Sequence, residues 1–214
     1  MALRHDCSTE SGRADGLSAA ALAVRRGDLV VLPTDTVYGI GADAFDRDAV
    51  EKLLGAKGRD RAMPSPVLVA SPYALDDLVT GLPEQGWALV EAFWPGGLTL
   101  VARHQPSLTW DLGETHGTVA VRMPSHPVAL ELLAETGPMA VSSVNLTGHP
   151  SPQDCDAAQN MLGDSVAVYL DGGHTEAAVA SSIVDLTSPV PVLKRAGAIS
   201  AEILRKVVPD LKEL

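Results

Sequence analysis

The sequence predicts a single α/β domain built on a twisted sheet of mixed parallel and antiparallel strands with flanking helices. Three observations carry that prediction. Short β-branched runs alternate with segments of helical periodicity along most of the 214 residues. No internal repeat and no linker rich in glycine, serine or proline divides the chain. Late strands follow one another without an intervening helix, which makes part of the sheet antiparallel.

The elements follow in order. Residues 1–16 are polar and aperiodic and read as a mobile N-terminal tail, leaving 17–214 as the domain. Ser18 to Arg26 is alanine-rich, carries basic residues in its last turn and stops at Gly27, the pattern of a helix packed against the first strand. Leu29 to Leu32 is too short for a helix, is bounded by Gly27 and Pro33, and reads as a strand buried on both faces. A loop follows. Asp46 is placed to cap a helix with Val50, Leu53 and Leu54 on one face. Val67 to Ala70 reads as a strand, Tyr73 to Val79 and Glu84 to Phe93 as helices, and Trp94-Pro95-Gly96-Gly97 as a turn into a strand over Leu98 to Ala102. Trp87, Phe93 and Trp94 are assigned to the core.

Beyond a loop at Gln105 to Gly117 come a strand at Thr118 to Arg122, a helix at Pro127 to Thr136 with proline in its first turn, and a strand at Met139 to Ser143. Val166 to Leu170, Ser182 to Asp185 and Val190 to Lys194 complete the strands. Ser200 caps a last helix with Ile203, Leu204, Val207 and Val208 on one side.

Composition narrows the function. A 46% hydrophobic, 20% charged chain is globular, and no stretch approaches the roughly 20 apolar residues of a membrane span. The first residues lack the apolar core of a signal peptide, so the expected location is cytoplasmic. Two cysteines, Cys7 and Cys155, and six histidines without ligand spacing predict neither a disulfide framework nor a protein-held metal. A net charge of −11 argues against an autonomous nucleic-acid binder and makes local cation clusters informative.

The chemistry-bearing residues gather at strand ends. After Leu32 the loop offers hydroxyls from Thr34, Thr36 and Tyr38, a carboxylate from Asp35, and two glycines, Gly39 and Gly41, that permit close approaches. Ligands of open α/β sheets bind outside such strand ends. Alone, this loop reads equally well as a polar turn. Lys57-Gly58-Arg59-Asp60-Arg61 follows a helix end, and alternation there projects Arg59 and Arg61 to one side, where guanidinium forks suit phosphate oxygens. Arg122 leaves a buried strand and is fitted to hold either a protein acid or a substrate carboxylate. Ser142, Ser143 and Asn145, and likewise Ser181, Ser182 and Arg195, supply short polar groups of either structural or binding use. No phosphate-loop or dinucleotide fingerprint is present.

Seven segments occurring in order over about residues 16 to 205 resemble the YrdC-like family of threonylcarbamoyl-adenylate synthases. They are Pro33-Thr34-Asp35-Thr36-Val37-Tyr38-Gly39, Lys57-Gly58-Arg59, Trp94-Pro95-Gly96-Gly97-Leu98-Thr99, Val119-Ala120-Val121-Arg122-Met123-Pro124, Ser143-Val144-Asn145-Leu146-Thr147-Gly148, Ser181-Ser182-Ile183-Val184-Asp185 and Arg195-Ala196-Gly197. The resemblance implies one catalytic domain over 17–214 with a concave cationic cavity, ending about where single-domain members end. It implies condensation of L-threonine, bicarbonate and ATP, with Mg²⁺ on the nucleotide, to threonylcarbamoyl-AMP and pyrophosphate. The product then supplies downstream transfer proteins that modify adenosine 37 of tRNAs, and tRNA contact by this chain is at most weak or indirect.

Carried over by position, Thr34, Arg122, Ser143 and Ser181 are threonine contacts, and Lys57, Arg59, Thr118, Asn145 and Arg195 nucleotide contacts, with Lys57 and Arg59 also in the catalytic role of stabilising charge. Asp35, Gly97, Val144 and Gln153 depart from the commoner family residues, as do Leu68 at the threonine site and Met63 near ATP. The alternatives are a family paralogue forming a different carbamoyl or acyl adenylate and a non-catalytic RNA-binding module.

Overall fold

The computed structural model describes residues 2–145, 149–175 and 179–214. Its strands are β1 (Leu3–Asp6), β2 (Val30–Leu32), β3 (Gly39–Asp43), β4 (Val67–Leu68), β5 (Leu98–Arg103), β6 (Thr118–Arg122), β7 (Met139–Ser143), β8 (Val168–Asp171), β9 (Ser182–Asp185), β10 (Val192–Arg195) and β11 (Lys212–Glu213). They form one sheet in the order β1-β8-β2-β3-β7-β4-β6-β5-β9-β10-β11. The helices are α1 (Glu10–Arg25), α2 (Arg47–Ala56), α3 (Ala74–Leu78), α4 (Glu84–Phe93), α5 (Pro127–Thr136), α6 (Cys155–Leu162) and α7 (Ala201–Arg205).

Antiparallel pairing is not confined to the late strands. β2–β3, β3–β7, β7–β4 and β6–β5 are antiparallel as well as β9–β10. The β2–β3 case follows from chain length, because the connection through residues 33–38 is too short for a parallel crossover.

The sheet is covered unequally, and that asymmetry makes the cavity. Val31 of β2 packs into a large cluster with α2, α4, α6 and α7, whereas Val30 and Leu32 turn to a second cluster formed with α1 and α5. β2 is thus buried on both faces. The second cluster draws on β2, β4, β7 and β8 but, among the described residues, takes no buried side chain from β5, β6 or β9. On that face the side chains of β5, β6 and β9 are not covered by this cluster.

The expected helix caps are present. Asp46 accepts from Asp48 N and Ala49 N at 3.0 and 3.1 Å, and Ser200 accepts from Ile203 N at 3.3 Å.

Other expectations are corrected. Residues 3–6, read as part of a mobile tail, form β1 in parallel register with β8, with Arg4 paired to Asp156 and Asp171. β1 escaped notice because it is an edge strand whose side chains are largely exposed. The first helix begins at Glu10, not Ser18, behind a Thr9 cap accepting from Gly12 N at 3.1 Å. Its helix-weakening Gly16 is required by packing, since a Cβ there would stand 2.8 Å from His5 Cβ and 2.9 Å from Leu170 Cδ2.

The segment after Tyr38, read as loop because of its glycines, is β3. A Cβ on Gly39 would lie 2.6 Å from Val141 Cγ1, so glycine lets β3 pack against β7. α6 is an addition to the expected elements. Trp87 and Ile203 are exposed, whereas Trp94 is buried with Nε1 donating to Leu98 O at 2.8 Å. Cys7 and Cys155 are both buried free thiols. Leu146, Thr147 and Gly148 of the fifth family segment, and Met1 of the tail, lie outside the described residues.

Candidate active site

A cavity of about 260 Å³ opens on the uncovered part of the sheet. Its floor comes from alternate residues of neighbouring strands, because side chains two apart share a face. Thr99 and Val101 rise from β5, Ala120 and Arg122 from β6, and Ser181 and Ile183 from the start of β9. Leu68 of β4 and Val141 and Ser143 of β7 close one side. The floor is therefore mostly apolar, with its polar groups at strand ends.

The Thr34–Tyr38 turn forms a second wall and is stiffened from within. Thr34 Oγ1 donates to Val37 O at 2.6 Å and accepts from Thr36 N at 3.2 Å. The Tyr38 hydroxyl points away from the cavity, donating to Gly173 O at 2.6 Å and accepting from Gly172 N at 3.1 Å. It ties the turn to the end of β8, and burial raises its pKa.

Three guanidiniums converge on the cavity. Arg122 is 6% exposed and held on each nitrogen. Nε donates to Gly96 O at 2.9 Å, Nη1 donates to Thr36 Oγ1 at 2.8 Å, and Nη2 lies 2.8 Å from Asp35 Oδ1 as an ion pair out of line for a good hydrogen bond. Both roles expected from sequence are thus compatible, since Arg122 pairs with a protein acid while facing the cavity.

Arg59 lines the opposite wall with a buried Nε lacking an acceptor, and no carboxylate stands within ion-pair distance of it among the described residues. Arg195 donates through Nε to Ser181 O at 2.9 Å and through Nη2 to Ser181 Oγ at 3.1 Å. Ser181 Oγ also bonds Thr99 Oγ1 at 2.8 Å, so one hydroxyl links cation and floor. Burial, followed by the charges of Arg122 and Arg59, lowers the pKa of Arg195, and burial lowers that of Arg59. Three cations, of which only Arg122 is paired to a carboxylate among the described residues, make a site that an anion relieves.

Not every expected residue reaches the cavity. Lys57 is 1% exposed and is absent from the cavity lining. Its ammonium donates to the carbonyls of Ser143 and Asn145, which fixes the segment leaving β7 from behind. Burial, then Arg59, pushes its pKa down to about 7. Asn145 is hydrogen-bonded to its own segment. Its Oδ1 accepts from Ser143 and from Ser151 Oγ at 3.1 Å, and its Nδ2 donates to His149 O at 2.8 Å.

Thr118 lies at the far end of β6 on the same face as Ala120, with Oγ1 donating to Thr115 O at 2.7 Å. Thr34, Ser143 and Ser181 line the cavity as expected. Arg61 does not accompany Arg59, because the chain turns over residues 60–63, with Met63 N donating to Asp60 O at 3.3 Å, and this breaks the extended alternation. It is exposed and paired with Asp111.

The sequence reading passed over Thr99 and the apolar floor of Val101, Ala120, Val141 and Ile183. Strand alternation was the available signal, but it distinguishes two faces without saying which one stays uncovered. Gly97 and Gly197 bring backbone close to the site. A Cβ on Gly197 would meet Ala180 O at 2.3 Å, so glycine lets the chain after Arg195 lie against the segment bearing Ser181.

The Sua5, YciO and YrdC family model, described as telomere recombination, matches residues 22–197. A relative from Mycobacterium tuberculosis is 54% identical over 203 residues, covering 95% of this chain and 94% of its own, and its naming as a threonylcarbamoyl-AMP synthase is itself provisional. Threonylcarbamoyl-AMP synthase of Bacillus subtilis is 40% identical over 194 residues, 90% of this chain and 56% of its own length. The crystal structure of Pyrococcus abyssi Sua5 complexed with L-threonine superposes with a TM-score of 0.93 at 35% identity. That superposition covers all of this chain and 62% of the other, so this chain spans under two thirds of that protein.

Proposed function

Because the chain belongs to the Sua5, YciO and YrdC family, we propose that it is a threonylcarbamoyl-AMP synthase, a nucleotidyltransferase that joins L-threonine, bicarbonate and ATP. The observation that carries this reading is the convergence of Arg59, Arg122 and Arg195 on one cavity, where among the described residues only Arg122 has a carboxylate partner, Asp35. An amino acid carboxylate and a polyphosphate both need such a field, and an acidic chain supplies it only locally.

In the proposed reaction the threonine nitrogen forms a bond to the bicarbonate carbon with loss of water. The resulting N-carboxylate oxygen attacks the α-phosphorus of ATP, and the bond to the departing pyrophosphate breaks. An anionic nucleophile must approach an anionic nucleotide. Arg59 and Arg195 offset that repulsion, while Arg122 holds the threonine carboxylate and Thr34, Ser143 and Ser181 stand near it. Lys57 contributes by fixing the Ser143–Asn145 wall. Thr118 extends the same face of β6 toward the nucleoside.

Mg²⁺ is proposed to enter on the ATP phosphates. The described residues contain no group of three or more His, Cys, Asp or Glu side chains suited to a metal ion, and Asp35 is engaged by Arg122 and by Ser125 N at 2.9 Å. The charge work proposed for the protein itself falls to its guanidiniums. The product, an acyl adenylate, passes to proteins that transfer the group to tRNA. Among the described residues no helix is long and apolar enough to cross a membrane, and a cytoplasmic site of action is part of the proposal.

The test is product identification with ¹³C-bicarbonate, L-threonine and ATP. A labelled threonylcarbamoyl-AMP detected by mass spectrometry is expected. A different adenylate points to the paralogue, and no adenylate contradicts the reading.

A further inference from the structure

We infer that Asp35 is a positioning residue that acts through Arg122 to orient the guanidinium toward the amino acid carboxylate. The inference rests on the proposed role of Arg122 as the carboxylate site.

Asp35 occupies the bend between two hydroxyls that point inward, Thr34 and Thr36, yet its own side chain turns to the exit of β6. There Oδ1 faces Arg122 Nη2 at 2.8 Å and accepts from Ser125 N at 2.9 Å. One carboxylate oxygen thus pins the Thr34–Tyr38 turn to both the last residue of β6 and the chain just beyond it. Gly96 O and Thr36 Oγ1 fix Nε and Nη1. Those two acceptors, one of them a hydroxyl of the cavity lining, fix the plane of the guanidinium. Nη2 is buried and held by the ion pair with Asp35 Oδ1. The guanidinium is thus fixed at all three nitrogens, and Asp35 supplies the one charged contact among the described residues.

The charge consequence separates orientation from electrostatics. Asp35 is the one carboxylate paired to a cavity guanidinium among the described residues, so neutralising it makes the cavity more cationic. A field effect alone would improve the binding of both anions. Loss of orientation would weaken threonine, which depends on Arg122, and spare ATP, whose phosphates are assigned to Arg59 and Arg195.

The experiment uses the full chain and measures KM for L-threonine and for ATP separately, with kcat and Tm, in Asp35→Asn, Asp35→Glu and Arg122→Lys. Asp35→Asn is expected to raise the threonine KM at least tenfold while the ATP KM stays within twofold of wild type or falls. Asp35→Glu, which keeps the charge, is expected to recover most of the loss. If Asp35→Asn does not fold, Asp35→Ser is read in the same way.

A folded Asp35→Asn variant with an unchanged threonine KM, or with equal rises in both KM values, overturns the inference. Arg122→Lys separates the two levels. If it leaves the threonine KM unchanged, the carboxylate role of Arg122 fails and the inference fails with it. If Arg122→Lys is impaired and Asp35→Asn is not, only the inference fails.

Discussion

Lys57 donates its ammonium protons to the main-chain carbonyl of Ser143 from behind the cavity wall, and to that of Asn145 beside it. The lysine of the basic segment therefore supports the site, while its neighbour Arg59 faces into it.

This division predicts opposite outcomes for two adjacent substitutions. Lys57→Met keeps bulk but leaves buried carbonyls without their donor, which costs about 1–3 kcal/mol. At roughly 2–4 °C per kcal/mol for a chain of this size, the loss is readable by calorimetry. An unchanged Tm would show that the carbonyls do not need the ammonium.

The same group gives a pH dependence. Burial and Arg59 push the Lys57 pKa down to about 7 from 10.5. Between those values the unfolded chain binds more protons than the folded one, so the stability contribution rises as pH climbs from about 7 toward 10.5 and is lowest below 7. Lys57→Met lacks this titration. The stability difference between wild type and variant, from denaturant unfolding at several pH values, is expected to widen with pH by at most about 1.4 kcal/mol per unit. A difference that is flat or shrinks contradicts the assignment.

Arg59→Ala removes a partly buried cation whose Nε has no acceptor. Stability is expected to hold or rise slightly, while pyrophosphate release falls by about 100-fold, the equivalent of roughly 2.7 kcal/mol of lost charge stabilisation. Steady-state kinetics beside a thermal melt checks both halves. Near wild-type turnover would remove Arg59 from the nucleotide site.

Gly39→Ala tests the close approach of β3 to β7. The new methyl would stand 2.6 Å from Val141 Cγ1, and overpacking of this kind costs about 1–3 kcal/mol. Adding Val141→Ala should restore part of the loss in a double-mutant cycle. Simple additivity of the two changes would place the strain elsewhere.

Local signals explain what was legible in the sequence. β6, α5, β7 and β9 match their expected bounds, because each apolar run is punctuated by glycine, proline or a capping residue. β3 was hidden by Gly39 and Gly41, whose purpose is visible only against Val141 and Met139 of β7. β1 was hidden because it pairs by backbone while its side chains face solvent.

At the site, Arg59, Arg122 and Arg195 were identifiable as cations at strand and helix ends. The direction of Lys57 was not, since it depends on where the end of α2 meets the exit of β7, a contact 86 residues apart in the chain. Arg61 failed for a local reason, the turn over residues 60–63, which separates it from Arg59 and leaves it on Asp111.

The most direct measurement is pyrophosphate release by the purified protein with ATP and Mg²⁺, with L-threonine and bicarbonate added singly and together, and with serine replacing threonine. Release that requires both threonine and bicarbonate, and falls with serine, is the expected result. Release independent of either substrate, or none despite measurable ATP binding, would contradict the proposed synthase activity.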